Sequence, residues 1–205
     1  MQVAVVKYNA GNIHSVIHAL RRLGVEPILT NDPAELQQAD KVIFPGVGEA
    51  ATTMRHLKQT GLDEVIKNLK QPVLGICLGM QLLCKHSEEG DVDALGIFDV
   101  NVKKFTPSKG IKIPHMGWNQ LEQLQSPLFA RNAENDYVYF VHSYYVPICE
   151  HTIATTQYAG AFSAALNKNN FYATQFHPEK SGDAGSLILA QFLQLWFSLF
   201  QLLIL

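Results

Sequence analysis

The segment Gly75-Ile76-Cys77-Leu78-Gly79-Met80-Gln81 joins a short apolar run to a helical pattern, and the rest of the chain can be placed around it. Pro72–Ile76 is predicted to be a strand and Met80–His86 a helix, so Cys77 falls in the turn between them. Small residues on both sides of such a turn are typical of a strained elbow that presents a nucleophile above a sheet. A helix N-terminus at this position favours the thiolate over the thiol. A buried core cysteine is the alternative interpretation.

Upstream of the elbow, short apolar runs alternate with helical patterns, which is typical of parallel strands joined by crossover helices. Strands are predicted at Val3–Val6, Pro27–Leu29 and Lys41–Phe44, and helices at Ile13–Leu23, from Pro33 after the cap residue Asp32, at Ala50–Leu57 and at Leu62–Leu69. The expected fold is therefore α/β, with a doubly wound, mostly parallel sheet. Its functional site should lie at the carboxyl ends of the parallel strands.

Downstream of about residue 95, consecutive strand-like runs replace this alternation. They are Asp99–Phe105, Trp118–Leu121, Tyr137–Val141, Ile153–Gln157 and Phe171–Phe176. This pattern indicates antiparallel strands added beside the parallel sheet. No repeat or linker divides the chain, so residues 1–205 are predicted to form a single domain.

The composition argues against several classes of function. The 205 residues carry 16 Lys and Arg against 18 Asp and Glu, a net charge of −2, which leaves no basic surface of the kind that nucleic acid needs. The three cysteines, Cys77, Cys84 and Cys149, are odd in number and widely spaced, which argues against both a disulfide framework and a zinc site. We expect a cytoplasmic protein with no metal and no cofactor.

The C-terminal segment from Leu187 to Leu205 has no charged residue over nineteen positions, a length that could span a membrane. Its polar residues, Gln191, Gln194, Ser198 and Gln201, recur at helical spacing and form one stripe. The first half is therefore predicted to cover the sheet as a closing helix. The residues from about Phe200 are more apolar than one buried helix face needs. A membrane anchor is not expected, because no basic flank marks the segment.

A general base is predicted at His177. Of the eight histidines, only His177 has a carboxylate placed to orient it, in Phe176-His177-Pro178-Glu179. Two residues apart at the end of a strand, the side chains of His177 and Glu179 should point to the same side. Glu179 would then fix the imidazole tautomer and leave the other ring nitrogen to face a thiol. Alone, the pair could be an ordinary surface contact; with the elbow, it predicts a Cys77-His177-Glu179 triad.

An oxyanion site is predicted at Pro45-Gly46-Val47-Gly48, a glycine-rich turn that follows a parallel strand. Backbone N–H groups of Val47 and Gly48 could meet that of Leu78, the residue after the nucleophile, around one developing negative charge. A phosphate-binding loop is disfavoured because the Gly-x-x-x-x-Gly-Lys spacing is absent. A plain turn is the remaining alternative.

Together, these three motifs resemble the class I glutamine amidotransferases, in the order in which that family carries them. Tyr8-Asn9-Ala10-Gly11-Asn12-Ile13 and Ile113-Pro114-His115-Met116-Gly117-Trp118-Asn119 narrow the resemblance to the glutaminase subunits of imidazole glycerol phosphate synthases. The resemblance implies a flavodoxin-like fold and hydrolysis of L-glutamine through a thioester on Cys77. It also implies that Gln81 and His142-Ser143-Tyr144 hold the glutamine, and that the loop at Val47 rearranges before full activity.

The same resemblance implies a heterodimer with a separate (βα)8-barrel cyclase subunit, which would use the ammonia in histidine biosynthesis. A barrel needs about 250 residues, so this chain has no room for one. The residues implied to face that partner or the ammonia path are Asn12, Trp118, Asn119, Tyr139 and Lys180. Trp118 could instead be a core aromatic, and Lys180 a solvated charge. Lys7 stands where the family often has Asp, which puts any role for that carboxylate in doubt.

Three other functions stay open at the level of sequence. An α/β hydrolase would place its acid between nucleophile and histidine, whereas Glu179 follows His177 here. A non-catalytic binding module would keep the fold and dock a partner, although every triad position is filled. Glutaminases that serve pyridoxal phosphate or anthranilate synthesis share the three motifs.

Overall fold

The computed structural model describes residues 1–8, 13–46, 48–107 and 110–195. The strands are β1 (Val3–Val6), β2 (Ile28–Thr30), β3 (Lys41–Phe44), β4 (Val73–Ile76), β5 (Cys84–Ser87), β6 (Val92–Asp93), β7 (Phe98–Lys104), β8 (His115–Gln120), β9 (Tyr137–His142), β10 (Tyr144–Tyr145), β11 (Thr152–Gln157), β12 (Ala161–Lys168) and β13 (Phe171–Thr174). The helices are α1 (Ile13–Arg22), α2 (Pro33–Gln38), α3 (Ala50–Thr60), α4 (Leu62–Lys67), α5 (Leu78–Leu83) and α6 (Gly182–Gln194).

A seven-stranded sheet organises these elements in the order β11-β12-β13-β4-β3-β1-β2. The five strands from β13 to β2 are parallel, and β11 and β12 extend the sheet with antiparallel pairing. The predicted fold class, a mostly parallel sheet with added antiparallel strands, is confirmed. Because β13 pairs directly with β4, the segments after both strands emerge side by side at the carboxyl edge.

The sheet is covered on both faces, as the alternation of side chains along β1 shows. Val3 and Val5 share a core cluster with residues of α1 and α6, whereas Ala4 and Val6 share one with residues of α2 to α5. Successive strand residues point to opposite faces, so a buried four-residue apolar run needs helices on both sides. The doubly wound arrangement follows from that requirement.

The region after the elbow differs from the prediction. Helix α5 ends at Leu83, and residues 84–87 form strand β5, although the sequence pattern assigned residues 84–86 to a helix over Met80–His86. Pairing with β7, for example Cys84 with Phe98, stabilises the extended form, so tertiary contact overrides local propensity. The resulting four-stranded sheet has the order β10-β7-β5-β6, and β8 and β9 form a separate hairpin.

Helix α6 closes the sheet, as predicted for the first half of the uncharged segment. Ile188, Leu189 and Phe192 are buried in the same cluster as α1. Ser198, Gln201 and the stretch from Phe200 lie outside the described residues. Among the helices that the structure describes, none is long and apolar enough to cross a bilayer. The prediction of one domain over residues 1–205 stays a prediction.

Gly185 allows a test of how closely α6 packs against the turn at Pro178. A Cβ there would lie 2.0 Å from the carbonyl oxygen of Pro178. In open space, alanine in place of glycine stabilises a helix by up to ~1 kcal/mol. We expect Gly185→Ala instead to lower the free energy of unfolding by about 2 kcal/mol, because the turn must move away.

Urea denaturation measures this difference, with Ser186→Ala as the matched control in the next position. Ser186 donates only a local hydrogen bond to Gly182, so its change should stay within about 0.5 kcal/mol. A stabilised Gly185→Ala protein would show that α6 does not touch the turn.

Candidate active site

Cys77 occupies the strained elbow that the sequence predicts. Its backbone has φ 55° and ψ −108°, between the end of β4 and the start of α5. A left-handed conformation in a residue other than glycine costs about 1–3 kcal/mol and persists only where its surroundings hold it. Here the Cys77 N–H donates to the carbonyl of Thr174 at 2.8 Å, and the residue is 8% exposed.

Glycines on the neighbouring backbones hold this elbow in place. A Cβ on Gly79 would lie 2.1 Å from the carbonyl oxygen of Phe44, and a Cβ on Gly46 would lie 2.1 Å from the Gly79 nitrogen. The turn after β3 therefore packs backbone against backbone on the first turn of α5. The Tyr8 hydroxyl adds a hydrogen bond to the carbonyl of Pro45. Val47 itself lies outside the described residues.

His177 and Glu179 meet as predicted, but by a different route. Strand β13 ends at Thr174, and Glu179 lies in a 3₁₀ turn over Pro178–Lys180, so strand alternation does not bring the two together. The turn does, with 2.7 Å between His177 Nδ1 and Glu179 Oε1. The backbone N–H of His177 donates to the carbonyl of Tyr139, which fixes the main chain of His177 relative to β9.

The electrostatics of His177 favour its charged form. Burial opposes protonation, but the adjacent charge of Cys77 and hydrogen bonds to Cys77 and Glu179 outweigh it and raise the pKa of His177 to about 10. Both His177 and Glu179 have nearly fully buried side chains. Low exposure strengthens their interaction because little water screens it. Imidazole and carboxylate are thus hydrogen-bonded to each other, and the thiol of Cys77 lies close enough to His177 to raise its pKa, so the three groups form one row.

This row opens into a cavity of about 360 Å³ at the carboxyl edge of the sheet. Seven of the predicted site residues besides Cys77 and His177 line it: Gly48, Leu78, Gln81, His142, Ser143, Tyr144 and Lys180. The volume is in the range of small-molecule sites. In the described part of the chain, no group of three or more His, Cys, Asp and Glu could hold a metal ion.

The structure adds two polar residues that the sequence analysis missed. Glu89 lines the cavity, accepts a hydrogen bond from the Ala50 N–H at 2.9 Å, and has its pKa raised by burial. Gln175 is fully buried, and its Nε2 lies 3.8 Å from Cys77 Sγ. Glu89 follows β5, which was predicted as helix, so no local signal pointed to it. Gln175 stands two residues before His177, within the predicted strand Phe171–Phe176, and an amide at that position of a central strand is itself a signal.

Gln81 is held inside the chain more firmly than the sequence indicates. It is 4% exposed, and its Nε2 donates to the Tyr144 carbonyl at 2.9 Å and to Gln175 Oε1 at 3.0 Å. Both N–H directions of the amide are therefore used within the protein. The carbonyl oxygen of Gln81 is the part that can still act on a ligand.

The residues predicted to face a partner fall into different settings. Trp118 is 56% exposed on β8 and packs edge-on against Tyr139, with 6.0 Å between ring centroids, so the interpretation of Trp118 as a core aromatic is wrong.

The other predicted partner-facing residues are less exposed or lie outside the described residues. The side chain of Asn119 bonds within the protein, donating to the Gln157 carbonyl at 2.9 Å. Lys180 lines the cavity and is half-buried, unlike a freely solvated charge. Asn12 lies outside the described residues.

Comparison with known proteins identifies this arrangement. The family model "Glutamine amidotransferase class-I" matches residues 4–195. The chain belongs to the class I glutamine amidotransferase family. As a member of this family it is a glutamine-hydrolysing enzyme.

Relatives and solved structures agree with that assignment. The imidazole glycerol phosphate synthase subunit HisH of Bacteroides thetaiotaomicron is 66% identical over 196 residues, which cover 95% of this chain and 100% of the relative. The same subunit of Yersinia pestis is 48% identical over 197 residues, with the same shares of 95% and 100%. A solved glutamine amidotransferase from Thermotoga maritima superposes with a TM-score of 0.64 at 17% sequence identity. The match covers 95% of the present chain and 83% of the Thermotoga chain, and it shows a shared fold.

The charge on His177 generates a prediction. Glu179→Gln removes the carboxylate charge yet keeps an oxygen that can accept the same hydrogen bond. We expect the pKa of His177 to fall below its value of about 10 in this variant. Because the folded-state pKa lies above the ordinary 6.5, His177 stabilises the fold fully below pH 6.5, and this stabilisation is lost as pH rises through about 10.

NMR titration of labelled histidine measures the shift directly. Glu150→Gln, which changes an exposed carboxylate beside His151, serves as the matched control and should leave His177 unaffected. An unchanged titration of His177 in Glu179→Gln would contradict the role of Glu179 in holding the imidazolium.

Proposed function

We propose that Cys77, His177 and Glu179 hydrolyse L-glutamine to glutamate and ammonia, and that the chain is the glutaminase subunit of an imidazole glycerol phosphate synthase. The observation that carries the proposal is the buried row of thiol, imidazole and carboxylate opening into the cavity. Identities of 48–66% to HisH subunits over nearly the whole chain support the synthase assignment.

The chemistry follows from the charge state of the row. His177 holds the proton of Cys77, so the thiolate attacks the side-chain amide carbon of glutamine and a C–S bond forms. The tetrahedral oxyanion collapses, the C–N bond breaks, and His177 gives its proton to the departing ammonia. His177 then takes a proton from water, which attacks the thioester; the C–S bond breaks, glutamate leaves, and the pair of thiolate and imidazolium is restored. Glu179 keeps the imidazole oriented throughout.

Two backbone segments are suited to stabilise the oxyanion. Leu78 contributes an N–H from the first turn of α5, and Gly48 lines the same cavity from the turn after β3. We assign the second donor to the Val47–Gly48 segment. Each such donor is worth roughly 3 kcal/mol of transition-state stabilisation.

The cavity wall is suited to the charged end of glutamine. The Glu89 carboxylate can pair with the α-ammonium group, and the Gln81 carbonyl oxygen can accept a hydrogen bond from it. Ser143 and Tyr144 complete this side of the cavity. In this orientation the reactive amide would be the group that meets Cys77, which lines the same cavity.

The partner in this proposal is a (βα)8-barrel cyclase subunit, bound as a heterodimer in the cytoplasm. It would receive the ammonia and form imidazole glycerol phosphate and aminoimidazole carboxamide ribotide in histidine biosynthesis. Exposed Met116 and Trp118 on β8, with Tyr139 beside them, give the hairpin an apolar outer face. Aromatic anchors of this kind dominate the binding energy of protein interfaces. Lys180, on the cavity wall, would lie along the path that ammonia takes from Cys77.

Glutamate release by the purified chain tests the reaction, alone and with a cyclase barrel subunit and its nucleotide ligand. Cys77→Ala should lower kcat by at least about 10³-fold, because the nucleophile is lost. Cys149→Ala, which alters a half-buried thiol elsewhere, should stay active. We expect orders of magnitude faster release in the full mixture. Equal rates alone and in the mixture would contradict regulation by the partner, and activity in Cys77→Ala would overturn the mechanism.

The docking surface has its own test. Trp118→Ala should weaken binding of the barrel subunit by about 30-fold, since truncating an aromatic anchor costs about 2 kcal/mol. Ile148→Ala is the matched control, because Ile148 is 54% exposed but lies outside the hairpin. Isothermal titration calorimetry gives both affinities. Equal affinities for the two variants would place the interface elsewhere.

A further inference from the structure

A second row of hydrogen bonds ends on the sulfur of Cys77, apart from the triad. It starts at the Tyr144 carbonyl, which accepts from Gln81 Nε2 at 2.9 Å. The same Nε2 donates to Gln175 Oε1 at 3.0 Å, and Gln175 Nε2 lies 3.8 Å from Cys77 Sγ. Gln175 is 0% and Gln81 4% exposed, so water does not compete for these bonds.

The direction of this row is fixed by its first member. A backbone carbonyl only accepts hydrogen bonds, so Gln81 must turn its NH₂ group toward Tyr144. The second hydrogen of that NH₂ reaches Gln175, which must therefore present its oxygen to Gln81. The NH₂ group of Gln175 is left facing Cys77, and the sulfur receives a donor.

Two buried histidines hold the carbonyl that sets this direction. His142 Nδ1 lies 2.7 Å from the Tyr144 oxygen and so donates to it, which leaves His142 Nε2 to accept from His115 Nδ1 at 3.0 Å. Burial lowers the pKa of His142 to about 3 and that of His115 to about 4, so both rings are neutral, as this pattern requires.

We infer that Gln175 is a catalytic residue, whose side-chain N–H donates to Cys77 Sγ and stabilises negative charge on it, and that Gln81 is the positioning residue that orients Gln175. The inference rests on the proposed function. The bond is strongest when the sulfur is ionised, both before attack and when the sulfur takes back its electron pair as the thioester breaks. Six other titratable groups face the sulfur or line its cavity: His177 and Lys180 after β13, Glu89 after β5, His142 of β9, Tyr144 of β10, and Tyr8 after β1, whose pKa burial raises.

Alkylation of Cys77 by iodoacetamide tests the inference without glutamine. Gln175→Met keeps the length of the side chain but has no donor. We expect it to lower the alkylation rate at neutral pH about tenfold and to raise the midpoint of the pH dependence by about one unit. Peptide mass mapping separates Cys77 from Cys84 and Cys149. Gln175→Glu, which places a carboxylate beside the sulfur, should lower the rate further and serves if Gln175→Met does not fold.

Matched variants separate this role from a structural one. Gln71→Met removes a comparable side-chain hydrogen bond, to the Leu36 carbonyl, away from the sulfur, and should leave the alkylation rate unchanged. Gln81→Met should lower the rate less than Gln175→Met, and the double variant should lower it no further than Gln175→Met alone, because Gln81 acts through Gln175.

The outcomes distinguish this inference from the function on which it rests. Wild-type alkylation rates and midpoints in folded Gln175→Met and Gln175→Glu, with glutaminase activity dependent on Cys77, would overturn the role of Gln175 alone. Activity that survives Cys77→Ala would overturn the proposed function itself.

Discussion

The site depends on a contact in which two backbones touch with no side chain between them. The Phe44 carbonyl and the Gly79 backbone approach so closely that a Cβ on Gly79 would lie 2.1 Å from the oxygen. This contact sets the distance between the turn after β3 and the first turn of α5, which carry the proposed oxyanion donors. Preorganised donors act without reorganisation during the reaction, so the spacing of the proposed donors on these two turns would help to set the rate. The strain at Cys77 is held by the same packing.

The second half of the triad is positioned by packing of another kind. The turn that brings Glu179 to His177 is covered by α6, where Gly185 lies against the Pro178 carbonyl. The Ser181 hydroxyl adds a bond to the His177 carbonyl at 2.6 Å. A buried imidazolium needs such support because its charge is stable only beside partners that cannot move away. The closing helix thus supports the turn that holds the two proposed catalytic residues together, although neither residue belongs to the helix.

Local sequence was sufficient for some of these features and insufficient for others. The parallel strands, the elbow and the His177–Glu179 contact could be predicted because each is encoded within a few residues. The pairing of β13 with β4, which brings His177 to Cys77, joins segments about a hundred residues apart and has no local signal. The same limit explains the helix predicted where β5 forms, since β7 decides that conformation. It also explains why Glu89 was missed and why the exposure of Trp118 could not be decided from sequence.

The hairpin β8–β9 connects the proposed docking of a partner with the hydrogen bonds around Cys77, which the sequence alone did not relate to each other. Its outer face exposes Trp118, whereas on its inner side His115 is paired with His142, which donates to the Tyr144 carbonyl. That carbonyl orients Gln81 and, through it, the amide that contacts Cys77. The same strands that would dock a partner thus also hold the groups that face glutamine and the nucleophile. The pair His115–His142 is neutral and enclosed by aromatic rings, so it holds the Tyr144 carbonyl in place without adding a charge to the cavity. The hairpin also touches the triad directly, because the Tyr139 carbonyl of β9 accepts the hydrogen bond from the backbone N–H of His177, so a partner docked on β8 would bear on both sides of the cavity.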